Sequence, residues 1–216
     1  LSHLKKVEKI LQENPRRVLL VGDDDLVSIS LARQGIPTSV LELDPYTCAL
    51  IRGIATLESL PITLWQHDLR RALPRDLGDR FDLFVTDADF TIESFFLFLT
   101  RGLSCLSVGG LGLINFENRK DQRFKARYLL EKLNIEILEE DQEQWNYTIL
   151  RNTKVEQSRV RYGKHVQINY RDDIRLAEAD YSSLLFRLRR QTESQVLLQA
   201  HEDFLGDERS IYDDDS

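Results

Sequence analysis

The sequence predicts an α/β fold, a mostly parallel seven-stranded sheet with helices on both faces and a C-terminal helical appendage. Three observations carry that reading. Short apolar runs of strand length alternate with stretches of helical length from Val18 to Leu133, as in parallel strands joined by crossover helices. The last two apolar runs are separated only by residues 140–146, too few for a crossover, so they pair as an antiparallel hairpin at the sheet edge. Carboxylates stand just after four of the runs, at the strand ends where open sheets of this kind bind ligands.

In order, Leu4 to Glu13 has helical spacing and stops at Asn14-Pro15. Val18–Gly22 has the length of a buried strand, and Leu26–Arg33 continues as a helix. Thr38–Leu43 is the second strand and Tyr46–Ser59 the helix after it; Ile62–Gln66 is the third strand, leading to His67-Asp68. Phe81–Thr86 is the fourth, ending at Asp87, and Ile92–Leu106 is helical. Gly109-Gly110 separates that helix from the strand Leu111–Phe116, Phe124–Leu133 is helical again, and Ile135–Glu139 and Tyr147–Arg151 form the closing hairpin. A parallel sheet finished by such a hairpin is how the Rossmann-like class I methyltransferase fold ends. Residues 1–151 are therefore expected to be a catalytic domain of that fold.

Over residues 152–216 the pattern changes to a C-terminal extension. Val160–Tyr162 and Val166–Tyr170 suit a small hairpin turning at Gly163-Lys164. Leu176–Ala200 reads as one long amphipathic helix, with Leu184, Leu185, Leu188 and Leu197 among its apolar positions. Asp213-Asp214-Asp215-Ser216 is an acidic tail. The extension serves as a packing appendage, its helix offering a homodimer contact, or it folds over the active site and supplies acidic groups to a cationic substrate.

A chain of 216 residues can bury a proper core. Its net charge of −7 argues against nucleic acid, which needs a basic face, and suits cationic small molecules. Cys48 and Cys105 lack metal-ligand spacing and suggest no disulfide framework. No apolar run approaches the ~18 residues a membrane span needs, and no signal peptide is visible, so the expected location is the cytoplasm. The chain begins at Leu1 and has no methionine, which leads us to expect an N-terminal domain before it.

Four constellations carry the chemistry. The first is Gly22-Asp23-Asp24-Asp25, where a nucleotide-binding fold would place a glycine-rich loop to hold an anion. Three aspartates favour a cation instead; one would suffice as a helix cap. The second is Glu42, twenty positions after Gly22, with Asp44 close by. Adenosyl-binding folds put there the acid that holds both ribose hydroxyls, a task for a group that accepts two hydrogen bonds at once; otherwise these are solvated loop acids. The third is Asp68, placed to meet an adenine amino group, or else an ordinary turn residue. The fourth is Thr86-Asp87-Ala88-Asp89-Phe90-Thr91. Asp87 closes an apolar strand over the place of a transferred group, where it can hold an attacking amine and accept its proton. Asp89 adds charge, Phe90 can pack along an aliphatic substrate, and Asp89 or Thr91 can instead cap the next helix.

Together these pieces resemble the C-terminal catalytic domain of the branched-chain polyamine synthases, the bis(aminopropyl)spermidine synthases. The family carries Gly-Asp-Asp-Asp-Leu after its first strand, matched in full by Gly22 to Leu26, an acid pair like Glu42 and Asp44, and a Thr-Asp-Pro-Pro signature. Here that signature reads Thr86-Asp87-Ala88-Asp89, keeping the leading acid and losing the prolines. The family also has an N-terminal winged-helix domain. The resemblance implies transfer of an aminopropyl group from decarboxylated S-adenosylmethionine to a polyamine such as spermidine, releasing methylthioadenosine. Asp87 is then catalytic, with Asp23, Asp24, Asp25, Asp89 and Phe90 at the substrate, and Gly22, Glu42, Asp44 and Asp68 at the adenosyl group. No metal is needed, and no His/Cys cluster offers one.

The residues suit that donor independently. Ordinary S-adenosylmethionine turns a carboxylate towards the first loop, which three aspartates would repel; the decarboxylated form offers only an ammonium. At ~4 Å and an effective dielectric of ~20, a unit-charge pair is worth roughly 4 kcal/mol before desolvation. Two alternatives stay open: an S-adenosylmethionine-dependent methyltransferase on the same fold, and a non-catalytic binding relative that keeps the cleft without turnover.

Overall fold

A computed structural model describes residues 2–77, 81–88, 91–117, 120–152, 174–192 and 194. Along the chain run α1 (Ser2–Gln12), β1 (Val18–Val21), α2 (Val27–Arg33), β2 (Thr38–Glu42), α3 (Pro45–Glu58) and β3 (Ile62–Gln66). After a 3-10 turn at Arg75–Leu77 come β4 (Phe81–Asp87), α4 (Ile92–Cys105), β5 (Leu106–Glu117), α5 (Lys120–Lys132), β6 (Glu136–Asn152) and β7 (Ile174–Arg189). The seven strands form one sheet in the order β3-β2-β1-β4-β5-β7-β6. β1 pairs in parallel with β2 and β4, β2 with β3, and β4 with β5, whereas β7 runs antiparallel to β5 from Ser183 to Arg189. The chain thus leaves β1 on one side and returns beside it on the other as β4. That switch in strand order opens a crevice at the C-terminal ends of β1 and β4.

Strand alternation sorts the core into two layers. Leu19 and Val21 of β1, Phe84 of β4, and Ile114 and Phe116 of β5 pack with Phe95, Phe98 and Leu103 of α4 and Leu130 of α5. Val18 and Leu20, Leu83 and Val85, and Leu113 pack on the opposite face with Val7 and Ile10 of α1 and with Ile29 and Leu31 of α2. This is period 2 in a sheet covered on both sides. The Phe84 ring is received between two glycines: a Cβ at Gly102 or Gly112 would stand 2.3 or 2.5 Å from it. Among the described residues, no helix is long and apolar enough to cross a membrane.

The first four strands lie where the sequence places them; β5 covers the expected Leu111–Phe116 but starts at Leu106 and runs through Gly109-Gly110, which were expected to separate it from the helix, with a register shift against β4. The edge departs further. The expected hairpin of Ile135–Glu139 and Tyr147–Arg151 is one strand, β6, which runs straight through the acidic stretch taken for a loop. Charge matching accounts for part of this: Glu140 is paired with Arg123 at 2.5 Å and Arg127 at 2.7 Å, both on α5. The seventh strand is β7, over residues expected to begin the long amphipathic helix Leu176–Ala200. Leu184 and Leu188 fit helical and strand periods alike, and the open edge of β5 decides for the strand. Leu184, Phe186 and Leu188 face the core, while Arg187 alternates with them and pairs with Glu13 at 2.7 Å. No helix spans 176–189 to serve as a dimer contact. The remainder of that helix beyond residue 194, the hairpin of residues 160–170 and the acidic tail lie outside the described residues.

The chain divides into two compact units, residues 1–143 with 183–216, and residues 144–182. β7 brings the chain back to pair with β5, so residues 183–189 belong with the first unit. The second unit contains the C-terminal part of β6 and the N-terminal part of β7. The site described next belongs wholly to the first unit.

Candidate active site

The crevice is lined by Gly22, Asp23, Asp24 and Asp25 after β1, by Glu42 at the end of β2, and by Thr86 and Asp87 at the end of β4. Leu20, Val27, Val85 and Phe98 form its apolar floor, and Lys6 of α1 reaches in from the side. Gly22 starts the loop at φ +79°, a left-handed conformation that only glycine adopts without strain. Its N–H donates to Leu41 O at 2.8 Å, which fixes the loop against the end of β2. Thr86 Oγ1 donates to Val21 O at 2.6 Å and ties the ends of β1 and β4 together. The acidic loop and Asp87 therefore face each other across a set distance.

The three aspartates divide their work. Asp23 turns inward: it is buried, and the Ser28 N–H at the start of α2 donates to its carboxyl oxygens at 3.3 and 3.2 Å. The N-cap position of α2 falls on Leu26, so Asp23 serves the helix start from three residues before the cap rather than as the expected N-cap, and burial pushes its pKa up to about 7. Asp24 and Asp25 face the crevice instead. Burial, then Asp25 and Asp87, hold the Asp24 carboxyl above its ordinary value. One oxygen from each of Asp24, Asp25 and Asp87 lies within 4.8 Å of the others. Like charges so close call for a cation.

Lys6 supplies one. Its Nζ donates to Asp25 Oδ2 at 2.7 Å and to Asp87 Oδ2. Burial alone would lower the Lys6 pKa, but Asp87 and Asp25 outweigh it and hold the ammonium above its usual range. His3, a turn earlier on α1, is bonded to Asp25 O at 2.9 Å and Ser30 Oγ at 2.7 Å, so the helix is docked by polar contacts next to the site. Asp87 Oδ1 accepts from Asn115 Nδ2 at 3.0 Å, from the neighbouring position on β5. Both oxygens of Asp87 are thus engaged.

Glu42 is nearly buried, and each carboxylate oxygen accepts one backbone N–H, that of Asp23 at 2.8 Å and that of Asp44 at 2.8 Å. Each oxygen keeps a second acceptor position, so the group can hold hydroxyls while it braces two loops. The other two acids assigned to the adenosyl group are engaged elsewhere. Asp44 is the N-cap of α3, accepting from Thr47 N at 2.7 Å and Thr47 Oγ1 at 2.8 Å, which keeps its carboxyl below the usual range. Asp68 is held by the Arg70 guanidinium at 2.8 to 3.1 Å, which lowers its pKa. Neither lines the crevice. Asp89 and Phe90 lie outside the described residues.

Two polar residues of the site are absent from the sequence reading. Asn115 carries a weak signal, a lone amide in the apolar run Leu111–Phe116. Lys6 carries none, because its position depends on how α1 packs through Val7 and Ile10.

Comparison with known proteins gives a consistent result. The profile of the branched-chain polyamine synthase A C-terminal domain matches residues 11–216. The N(4)-bis(aminopropyl)spermidine synthase of Thermococcus kodakarensis is 32% identical over 130 residues, 56% of this chain and 37% of that protein. An uncharacterised protein of Methanocaldococcus jannaschii is 35% identical over 106 residues, 48% of this chain and 27% of that one. The chain therefore spans well under half the length of these curated relatives. Among solved structures, the branched-chain polyamine synthase of Thermus thermophilus, in complex with N4-aminopropylspermidine and 5′-methylthioadenosine, superposes with a TM-score of 0.72 at 26% identity, covering 95% of this chain and 60% of that one.

Proposed function

This chain belongs to the branched-chain polyamine synthases, as their C-terminal domain, and from that we propose that it moves an aminopropyl group from decarboxylated S-adenosylmethionine to a polyamine such as spermidine. The observation that carries the reading is Asp87 at the end of β4, facing Asp24 and Asp25 across a crevice whose one described cation is Lys6. A crevice of this charge suits a donor with an ammonium and no carboxylate, and an acceptor that is itself a polycation. The names of the relatives and the product pair held by the Thermus structure support the same chemistry.

Gly22 lets the loop backbone approach the donor, and Glu42 offers its remaining acceptor positions to the ribose hydroxyls. Asp24 and Asp25 attract the donor's ammonium. The acceptor nitrogen attacks the methylene bonded to the sulfonium, so an N–C bond forms as the C–S bond breaks. Sulfur leaves as the neutral thioether of methylthioadenosine, and the nitrogen's proton passes to Asp87 and on to water. Orientation supplies most of the acceleration, with Asp87 aligning the amine and Asn115 aligning Asp87. Asp89 and Phe90, which follow Asp87 in the chain, are assigned to the acceptor from sequence alone.

The deciding experiment incubates the protein with spermidine and either donor. Methylthioadenosine formed from the decarboxylated donor alone is the expected result. Adenosylhomocysteine formed from ordinary S-adenosylmethionine would overturn the proposal in favour of a methyltransferase.

A further inference from the structure

The family match begins at residue 11 and so leaves out all but the last two residues of α1, yet α1 places a side chain in the centre of the site. Lys6 is buried to 11% side-chain exposure and bridges Asp87, which aligns the acceptor amine in the mechanism above, and Asp25 beside it. We propose that Lys6 is a built-in stand-in for the acceptor's ammonium, so that an acceptor binds by displacing it and Lys6 thereby selects for polycations. The inference rests on the reading of this crevice as an amine site.

The chemistry of the bridge supports it. A primary ammonium is a compact point charge with three donors, and that is the group a polyamine terminus would bring to the same two carboxylates. The acids Asp24, Asp25 and Asp87 crowd within 4.8 Å and need a cation when no substrate is bound. Lys6 cannot take over as base, because two carboxylates keep it protonated. While Lys6 Nζ bridges Asp25 Oδ2 and Asp87 Oδ2, no second ammonium can take that same bridging position. An acceptor that takes the bridge therefore requires Lys6 to leave it. Asp24, in the same cluster, gives its flexible side chain an alternative partner a short swing away. An amine with one charge gains little by the exchange, since it replaces one ammonium with another. A polyamine brings further charges for the rest of the acidic crevice, and so wins.

The test compares wild type, Lys6→Gln and Lys6→Arg by titrating spermidine, and the monoamine butylamine, at low ionic strength. In Lys6→Gln spermidine should bind at least about tenfold more tightly, the size expected when a charge-assisted hydrogen bond no longer has to be broken first. Butylamine should become a measurable ligand, whereas Lys6→Arg should stay within a few-fold of wild type. Because Lys6→Gln leaves two acids unpaired, the same comparison is made by thermal unfolding, where spermidine should raise the midpoint further in Lys6→Gln than in wild type. Equal or weaker spermidine binding in Lys6→Gln, with an equal or smaller midpoint gain, would overturn the inference. Turnover with the decarboxylated donor is read separately: its absence alongside the expected binding pattern would reject aminopropyl transfer and leave Lys6 as stated.

Discussion

Asp23→Asn isolates what burial of one carboxyl does to stability. Asp23 is 3% exposed, and its environment moves its pKa from 3.8 to about 7, with desolvation as the main cause. In the unfolded chain the group ionises near its ordinary value. Between those two values the unfolded state has lost the proton that the folded state still holds, so stability falls as pH rises. Below the lower value both states are protonated, and above the upper one both are ionised, so the loss is confined to that window. A difference of about three units corresponds to roughly 4 kcal/mol at ~1.4 kcal/mol per unit. Asparagine keeps an oxygen to accept the Ser28 N–H and never ionises. Urea unfolding of both proteins, from about pH 4 to about pH 8, reads the effect as a difference, in which carboxyls common to both cancel. The stability of Asp23→Asn relative to wild type should climb through that range by up to about 4 kcal/mol and level off above neutrality. A difference that stays flat would show that Asp23 is ionised in the fold at no cost, and the desolvation argument would fail.

Three further outcomes are expected. Asp87→Asn removes the proton acceptor at nearly constant shape, so methylthioadenosine release should fall by about 10²–10⁴-fold; donor affinity, read by titration, should change little. Asn115→Ala frees Asp87 Oδ1 and should lower kcat by about tenfold through misorientation, with the acceptor KM unchanged in steady-state assays; an equal loss in acceptor binding would argue for direct contact instead. Gly102→Ala would gain up to ~1 kcal/mol of helix propensity, but its Cβ would stand 2.3 Å from the Phe84 ring. Overpacking costs about 1–3 kcal/mol or more, so urea unfolding should show net destabilisation, and a gain would refute the close packing.

The parallel part of the sheet was legible because each strand is built around a short apolar run and most are separated by stretches of helical length, which leaves few alternatives. The edge was not. Residues 184–188 carry leucines that satisfy both a helix and a strand, and only the unpaired edge of β5 distinguishes them. Asp87 and Glu42 were legible for a different reason: an acid directly after a buried strand is placed by the strand itself. Asp44 and Asp68 met the same rule but had local partners within three residues, Thr47 and Arg70, and a carboxylate with a ready local donor stays with it. Lys6 could not be read at all, since it comes from a helix with no strand to fix its position.

Those partners suggest how an acidic loop can be both structural and chemical. Of the acids that follow the parallel strands, Asp23, Asp44 and Asp68 are satisfied by groups two to five residues away, and each holds a loop or helix end in place. Asp24, Asp25 and Asp87 instead bring their carboxylates towards one another. Their mutual repulsion is tolerated because the surrounding caps, the Gly22 turn and the Thr86 tie fix the backbone that carries them. The repulsion is then available to any cation of the right size. In the structure that cation is Lys6, and its displacement by a polyamine, as proposed above, exchanges one set of ion pairs for a similar set. The exchange leaves one ammonium between Asp25 and Asp87 before and after, so acceptor binding need not reorganise the loop that carries them.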